Sequence, residues 1–367
     1  MVCLAIGAHL LLPWVMGHLP YQDITNHMAR YALIDRVWSG YAVPWVQVHL
    51  VPTPYIAVDL VGAGLVHLLG ARLATRVIAT VALGLLPLAM SLLLRAVAPG
   101  EGRWTRIAVL LGTAPFFLEG LLNYQIGIGV MLLWVAAWWP RRERATPAAR
   151  AGLVLGVALL LLVHLYAAFV VLLILGVDLG LHGLRGLRSR PVRVVVREQA
   201  GRMVTSMACG VAALLLLWHM MRVGPSTGPG TAAMAMRSFP EKMFELTEPL
   251  YTFSPWELAV TGVPFVIALV VYLRRATGAP SRNTFGLTTL ALTLLYLCTP
   301  KSIGGASHLD VRWLLPMYLL VFVSAPTVVR PSRLLTPLLC AACLMHAGMT
   351  LYFGHRIDAE LDDFDAV

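Results

Sequence analysis

The sequence has 367 residues, of which 59% are hydrophobic and 13% are charged, and its mean hydropathy is +0.77. Such a chain is too apolar for a water-soluble globular protein and long enough for about ten membrane spans of roughly 20 residues each. Its net charge of +10 comes almost entirely from Arg residues in short loops between apolar runs. The preference of basic loops for the cytoplasmic side explains this charge, so we exclude a nucleic-acid-binding function.

The apolar runs predict an all-α, polytopic integral membrane protein with about eleven transmembrane helices. The spans are expected at 2–17, 76–96, 105–119, 122–139, 151–164, 166–184, 203–222, 256–273, 284–299, 311–328 and 334–353. The whole chain, 1–367, would form a single membrane domain. Its outer parts would be a long first loop at 18–75 with interfacial helices, a second loop at 223–255 and an acidic tail at 354–367.

The segment 54–70 is apolar but carries Asp59 and His67. If it lies on the membrane surface, eighteen of the 28 basic residues fall in loops on one side, together with only three acids. If it crosses, the basic loops that follow it move to the outside, against the positive-inside rule. We therefore expect that 54–70 does not cross, that the N-terminus is cytoplasmic and that the C-terminus is outside.

The first outer loop opens with a cluster of ionisable residues. Asp23, His27 and Arg30 have the i, i+4, i+7 spacing that places them on one face of a helix, with Asn26 beside them. This pattern is typical of an amphipathic helix at a membrane surface. Its polar face is either merely solvated or part of a functional site, and the spacing alone leaves both interpretations open.

Further polar residues fall at the outer ends of separate spans, where ionisable groups usually face a protein interior or an aqueous cavity. They are Glu119, Asn123, Tyr124, His164, Tyr166, Lys301, His308, Asp310 and Arg312. Their recurrence at one level predicts an outward-facing polar cavity. For His164 alone, the simpler interpretation is a core histidine bonded to a backbone carbonyl.

The only two lysines of the chain, Lys242 and Lys301, both fall on the predicted outer side. Lys242 lies on a predicted short amphipathic helix, which is either at the mouth of the cavity or simply solvated, with an ion pair. Lys301 and Arg312 flank a glycine pair in the turn 299–312, a combination that suits a phosphate at the bilayer surface. The alternative is a flexible connector in which Asp310 pairs with Arg312.

These motifs resemble the GT-C superfamily of membrane glycosyltransferases, which use polyprenyl-phosphate-linked sugars. The likeness lies in a D-x-x-x-H-type run at Asp23, a stretch from Pro52 to Arg76 similar to "PPL-Y … G-x-x-x-x-x-R", and an "R-x-x-x-P" motif from Arg312 to Pro316. The motifs "D-x-x-N-H-x-A-R", "G-x-L-N-Y-x-x-G", "H-L-Y" and "D-x-R" are similar to a group of bacterial polytopic proteins tied to GT-C by fold. The paired acid frequent in the superfamily is absent here.

The resemblance implies transfer of a sugar, with inversion, to a glycan, lipid or peptide acceptor outside the bacterial inner membrane. Asp23 would be the catalytic base, with His27 orienting or replacing it. The candidate ligands of the donor phosphate are Arg30, Lys301, Arg312 and Lys242. The expected substrate pocket comprises Asn26, Glu119, Asn123, Tyr124, His164, Tyr166, His308 and Asp310.

No cofactor is required by these motifs, and a divalent metal at Asp23 stays open. The competing interpretation is a non-catalytic protein on the same scaffold, which binds a lipid carrier, transports a substrate or serves as a subunit of a larger membrane complex. The polar residues would then bind a ligand without turnover.

Overall fold

The structure, a computed structural model, describes residues 2–17, 23–41, 52–97, 99–113, 115–223, 234–250, 254–273, 282–303, 307–324 and 334–365. These residues are mainly helical, with one antiparallel pair of two-residue strands, β1 (Met234–Ala235) and β2 (Ser302–Ile303). The helices are α1 (Val2–Val15), α2 (Ile24–Trp38), α3 (Ile56–Leu69), α4 (Ala71–Val97), α5 (Thr105–Gly112), α6 (Pro115–Leu118), α7 (Leu122–Trp138), α8 (Pro147–Val163), α9 (Leu165–Leu187), α10 (Val192–Val223), α11 (Phe239–Glu245), α12 (Val263–Leu273), α13 (Arg282–Cys298), α14 (Leu314–Val323) and α15 (Leu335–Asp365). The predicted all-α class is confirmed.

The longer helices fit a membrane-embedded protein. Helices long and apolar enough to cross a bilayer are Ala71–Val97, Leu122–Arg141, Leu165–Leu187, Val192–Met220 and Leu335–Glu360. Shorter apolar helices of 10–17 residues are Cys3–Val15, Ile56–Leu69, Pro147–Val163, Leu258–Val270, Thr284–Cys298 and Val311–Val323. On α10, Val204, Met207 and Leu214 are each about two thirds exposed, as expected of side chains that face lipid tails. The count of eleven spans stays a prediction.

Several predicted spans differ from the observed helices; α10, for example, begins at Val192 and not at 203. In place of a continuous helix over 105–119, the chain forms α5 and the four-residue α6. The break has a local cause, because Pro115 lacks the N–H that would continue the α5 hydrogen-bond ladder. In contrast, α15 runs beyond the predicted end at 353, since no proline follows to stop it.

The ambiguous segment 54–70 forms α3, which ends at Gly70 with a positive φ of 77°. Its 14 residues extend about 21 Å, less than the roughly 30 Å hydrocarbon core of a bilayer. Helix α3 packs against α2 and α4, and a Cβ at Gly62 would lie 2.7 Å from the Tyr31 ring. Helix α3 is therefore held closely against α2, and that 54–70 does not cross the bilayer stays a prediction.

Several helix ends meet at one end of the bundle. Arg76, near the start of α4, donates to the Met16 carbonyl after α1 at 3.1 Å. Asp23, just before α2, donates its backbone N–H to the carbonyl of Glu119 at 2.9 Å. The Arg-rich segment 185–202 lies away from this end. Its Arg202 pairs with Asp178 at 3.7 Å. Asp178 is fourteen residues beyond His164, which corresponds to about 20 Å along α9.

Candidate functional site

Helix α2 is fixed to the turn that follows α6. Gly120 has a φ of 81°, and a Cβ there would lie 2.7 Å from the Ile24 backbone nitrogen. Only glycine fits this left-handed position at such a close approach. The contact, with the Asp23–Glu119 backbone hydrogen bond, places the Asp23 carboxylate at the start of α2. Its Oδ1 accepts a hydrogen bond of 3.0 Å from Asn26, so Asn26 lies beside Asp23 as predicted.

His27 and Arg30 form a bonded group on the inner face of α2. Arg30 lies 2.6 Å from His27 Nδ1 and donates to Asp59 Oδ1 at 3.1 Å. A guanidinium can only donate, so Nδ1 of His27 accepts and its ring proton is on Nε2. Burial and the Arg30 charge lower the pKa of His27 to about 4. The imidazole is therefore neutral near pH 7. Its unprotonated nitrogen, Nδ1, is the one that a general base would use, and it is occupied by the hydrogen bond from Arg30.

The start of α7 and the α8–α9 junction contribute an aromatic wall. A Cβ at Gly127 would lie 2.4 Å from the His164 Cβ, so this glycine makes room for the histidine. The His164 ring contacts Tyr124 and Tyr55, with centroid distances of 5.1 and 4.9 Å. His164 Nδ1 accepts the backbone N–H of Tyr166 at 3.2 Å. His164 is thus bonded to backbone, as the simpler interpretation held, although to an N–H rather than a carbonyl.

Arg312 is held by its backbone and keeps a free donor. The hydroxyls of Tyr124 and Tyr166 donate to the carbonyls of Arg312 and Leu309 at 2.5 and 2.8 Å. These tyrosines therefore position the segment and do not offer their protons to a ligand. The Arg312 Nε is buried and has no hydrogen-bond partner among the described residues. A buried guanidinium donor without a partner is costly unless an acceptor binds there.

These segments enclose a cavity of about 150 Å³, well above the roughly 10–15 Å³ that holds one water. Its lining residues are Asp23, His27, Arg30, Tyr55, Leu121, Asn123, Tyr124, His164 and Arg312. Asn123 is 4% exposed, and neither its Oδ1 nor its Nδ2 has a hydrogen-bond partner of ordinary geometry among the described residues. Burial raises the pKa of Asp59, and the Asn123 amide lies near enough, together with Arg30, to oppose that rise. The cavity thus combines a carboxylate, two guanidinium groups and an amide with unused hydrogen-bonding capacity.

Seven residues predicted for the site lie outside this lining: Asn26, Glu119, Tyr166, Lys242, Lys301, His308 and Asp310. Lys242 is 2% exposed and bonds the carbonyls of Tyr296 and Thr299 at 2.6 and 2.7 Å. Asp310 is fully buried and accepts from Arg237 at 3.1 Å, with Lys242 3.5 Å away. The predicted alternative, an Asp310–Arg312 pair, is not what the described contacts contain. Lys301 is exposed, and the glycine pair at 304–305 lies outside the described residues.

Glu119 and His308 belong to a second polar group beside the cavity. With Glu248 they offer one ligand atom each, all within 4.8 Å of one another, the one such group of three among the described residues. Asp23 is not part of it. A metal at Asp23 therefore stays a prediction.

Sequence reasoning missed the cavity residues Tyr55 and Leu121 and the supporting residues Asp59, Arg237 and Glu248. Asp59 had a usable signal, because an acid within an apolar helix generally has a buried partner. Tyr55 was noted only as part of a motif. Its left-handed φ of 81°, which turns the ring toward His164, cannot be predicted from the residue type.

Comparisons of the chain with protein-family profiles, curated proteins and solved structures find no match.

Proposed function

We propose that the protein is a GT-C-type membrane glycosyltransferase, which moves a sugar from a polyprenyl-phosphate donor to an extracytoplasmic acceptor. The proposal rests on one observation: Asp23, Arg312 and Asn123 come from distant parts of the sequence and line one cavity. They supply a carboxylate, a cation whose Nε has no partner among the described residues, and an amide that makes no hydrogen bond of ordinary geometry to them. The long apolar helices support a membrane location, and the extracytoplasmic orientation follows from the Arg distribution.

The chain's own residues suit a single displacement. The acceptor hydroxyl gives its proton to the Asp23 carboxylate while its oxygen forms a bond to the anomeric carbon. The bond between that carbon and the phosphate oxygen breaks, and its electron pair leaves with the polyprenyl phosphate. Attack opposite the leaving group inverts the configuration. Asp23 is preferred to His27 as the base because Arg30 occupies Nδ1 of the imidazole.

The two cavity arginines differ in how much charge they can offer the departing phosphate. Arg30 shares its charge with Asp59, and its side chain is 47% exposed. Arg312 has no carboxylate within ion-pair distance in the described part of the chain, and its Nε is free. A donor aimed at the oxygen that gains charge in the transition state contributes about 3–4 kcal/mol in known enzymes. We assign this role chiefly to Arg312.

The cavity amide suits a hydroxyl-rich group. Asn123 can donate and accept at the same time, which matches a sugar hydroxyl. Its burial makes an unfilled state unfavourable, since an unsatisfied buried polar group costs about 1–3 kcal/mol. Tyr55 and Tyr124 border the same space with aromatic rings. These features support a sugar ring as the occupant, with its phosphate toward Arg312.

The test compares two carboxylates on or next to α2. Asp23→Asn removes the proposed base, whereas Asp35→Asn changes a residue that pairs with His67 at 3.0 Å and does not line the cavity. Purified variants would be incubated with synthetic farnesyl-phosphate monosaccharides, with water taking the place of the acceptor hydroxyl. Released farnesyl phosphate and free sugar would be measured by mass spectrometry. We expect Asp23→Asn to lose about 10²–10⁴-fold in rate and Asp35→Asn to keep the wild-type rate.

Equal rates for both variants would remove Asp23 from the mechanism. The competing function, a lipid-carrier binder, transporter or complex subunit, predicts a different pattern. The wild-type protein would then bind the farnesyl-phosphate monosaccharides at equilibrium and release farnesyl phosphate from none of them.

A further inference from the structure

Beside the cavity, three segments bring together a set of side chains with metal-ligand chemistry. Glu119 follows α6, Glu248 begins the turn Glu248–Leu250, and His308 precedes the turn Val311–Trp313. One oxygen from each carboxylate and one imidazole nitrogen lie within 4.8 Å of one another. His308 adopts a left-handed φ of 55°, a conformation that costs a non-glycine residue energy.

The group has unused ligand atoms. Glu248 Oε2 and His308 Nδ1 are buried and have no hydrogen-bond partner among the described residues. Glu248 Oε1 lies 4.0 Å from His308 Nδ1, too far for a hydrogen bond. A shared cation would give both of these buried atoms a partner.

The local charge points the same way. The nearest guanidinium that could compensate, Arg237, is already bonded to Glu245 and Asp310. Arg312 also attracts the Glu119 charge but belongs to the cavity lining. The carboxylates are therefore short of positive charge.

We propose that Glu119, Glu248 and His308 bind one divalent cation of the Zn²⁺ or Mn²⁺ class. Two carboxylate oxygens and one imidazole are ligands that these ions accept, and three protein ligands leave a coordination position open. Ligand atoms around a tetrahedral ion at about 2.1 Å are roughly 3.4 Å apart. On binding the ion, the ligand atoms would approach one another by up to about 1.4 Å through side-chain rotation. The proposal goes beyond the glycosyl transfer and is independent of it, because the ion is assigned from its ligands alone.

The experiment measures metal binding to the full-length protein in detergent, stripped with chelator and free of donor lipid. Isothermal titration with Zn²⁺ and Mn²⁺ gives stoichiometry and affinity, and Co²⁺ absorption reports nitrogen and oxygen coordination. We expect one ion per chain, with His308→Ala and Glu248→Gln each weakening binding by at least about 100-fold. The matched control is His67→Ala, which removes a histidine that pairs with Asp35 alone and should bind like wild type.

Folding is checked in the same samples. Without metal, His308→Ala should unfold at the wild-type temperature, and added Zn²⁺ should raise the unfolding temperature of wild type and His67→Ala but not of His308→Ala. Absence of stoichiometric binding, or equal affinity in His308→Ala and His67→Ala, would overturn the proposal. Loss of sugar transfer with intact metal binding would count only against the proposed enzyme.

Discussion

Lys242→Met distinguishes two roles for one of the chain's two lysines. The sequence predicted Lys242 as a donor-phosphate ligand, whereas in the structure its ammonium bonds the Tyr296 and Thr299 carbonyls and lies 3.5 Å from Asp310. Methionine keeps the length of the side chain and removes only the charge and the three donors. The substitution therefore tests whether the lysine holds the fold or the substrate.

The magnitude follows from what is left behind. Asp310 stays fully buried with Arg237 as its ion-pair partner, and two buried carbonyls lose their donor. Removing one partner of a buried charge group typically costs about 3–5 kcal/mol because the remaining charge cannot move to water. We expect Lys242→Met to destabilise the protein by that amount. The loss of Lys242 also loosens the segment before α14, which carries Arg312. The transfer rate should therefore fall only to the extent that Arg312 is displaced.

The control is Lys301→Met, since Lys301 is exposed and exposed charges contribute little to stability. Unfolding free energies from denaturation in mixed micelles, with transfer rates measured below the unfolding range, separate the two effects. Unchanged stability in Lys242→Met together with lost donor binding would refute the structural role and restore the phosphate-binding one.

Three further outcomes are expected. Arg312→Gln should weaken farnesyl phosphate binding by about 10–100-fold, the value of a charge-assisted hydrogen bond, whereas exposed Arg36→Gln should not; equal losses would contradict the assignment. Gly120→Ala should lower the free energy of unfolding by about 2 kcal/mol or more, because Gly120 has a φ of 81° and a Cβ there would contact backbone. Gly64→Ala has nothing within 4 Å of the new Cβ and should raise the free energy of unfolding by about 0.5–1 kcal/mol in the same denaturation assay. The pKa of His27 is about 4 in the folded protein, below the unfolded value near 6.5. Its contribution to the free energy of unfolding is therefore complete above pH 6.5, and about 3 kcal/mol of it is lost as the pH falls toward 4. His27→Gln should flatten this part of the plot of unfolding free energy against pH, and an unchanged slope would exclude His27 as its source.

Part of the convergence of the polar residues was predictable from the sequence, and the separate role of each residue was not. Alternation of apolar runs and basic loops indicated which helix ends share one side, and Asp23, Asn123, His164 and Arg312 do line one cavity. The positions of Lys242 and Asp310 depend on Arg237, which lies next to a two-residue strand that no sequence pattern indicated. Tertiary packing decides which residues far apart in the chain pair with each other. Residue type alone therefore could not distinguish a side chain that binds substrate from one that stabilises the fold through an ion pair.

The broken span at 105–119 illustrates a different limit. Its apolar composition predicted one continuous helix, because hydropathy reports burial and does not report continuity. All eight residues of α5 are buried within the protein. Pro115 was visible in the sequence and could have placed the break. The consequence for the site is direct, since α6 then ends where Glu119 and Gly120 meet the start of α2.

The glycines of the motif G-x-L-N-Y-x-x-G explain why a short pattern can mark a site without containing its base. Gly120 admits the backbone of α2, which positions Asp23, and Gly127 admits His164. Between them, Asn123 and Tyr124 enter the cavity lining. A side chain at either glycine would push apart two segments that are distant in sequence. The motif therefore sets how closely these segments can pack. The same argument predicts that Gly127→Ala and Gly120→Ala lose activity through displacement of different groups, the aromatic wall in one and the base in the other. Donor binding measured alongside turnover separates them: the first substitution should weaken binding, and the second should chiefly slow transfer.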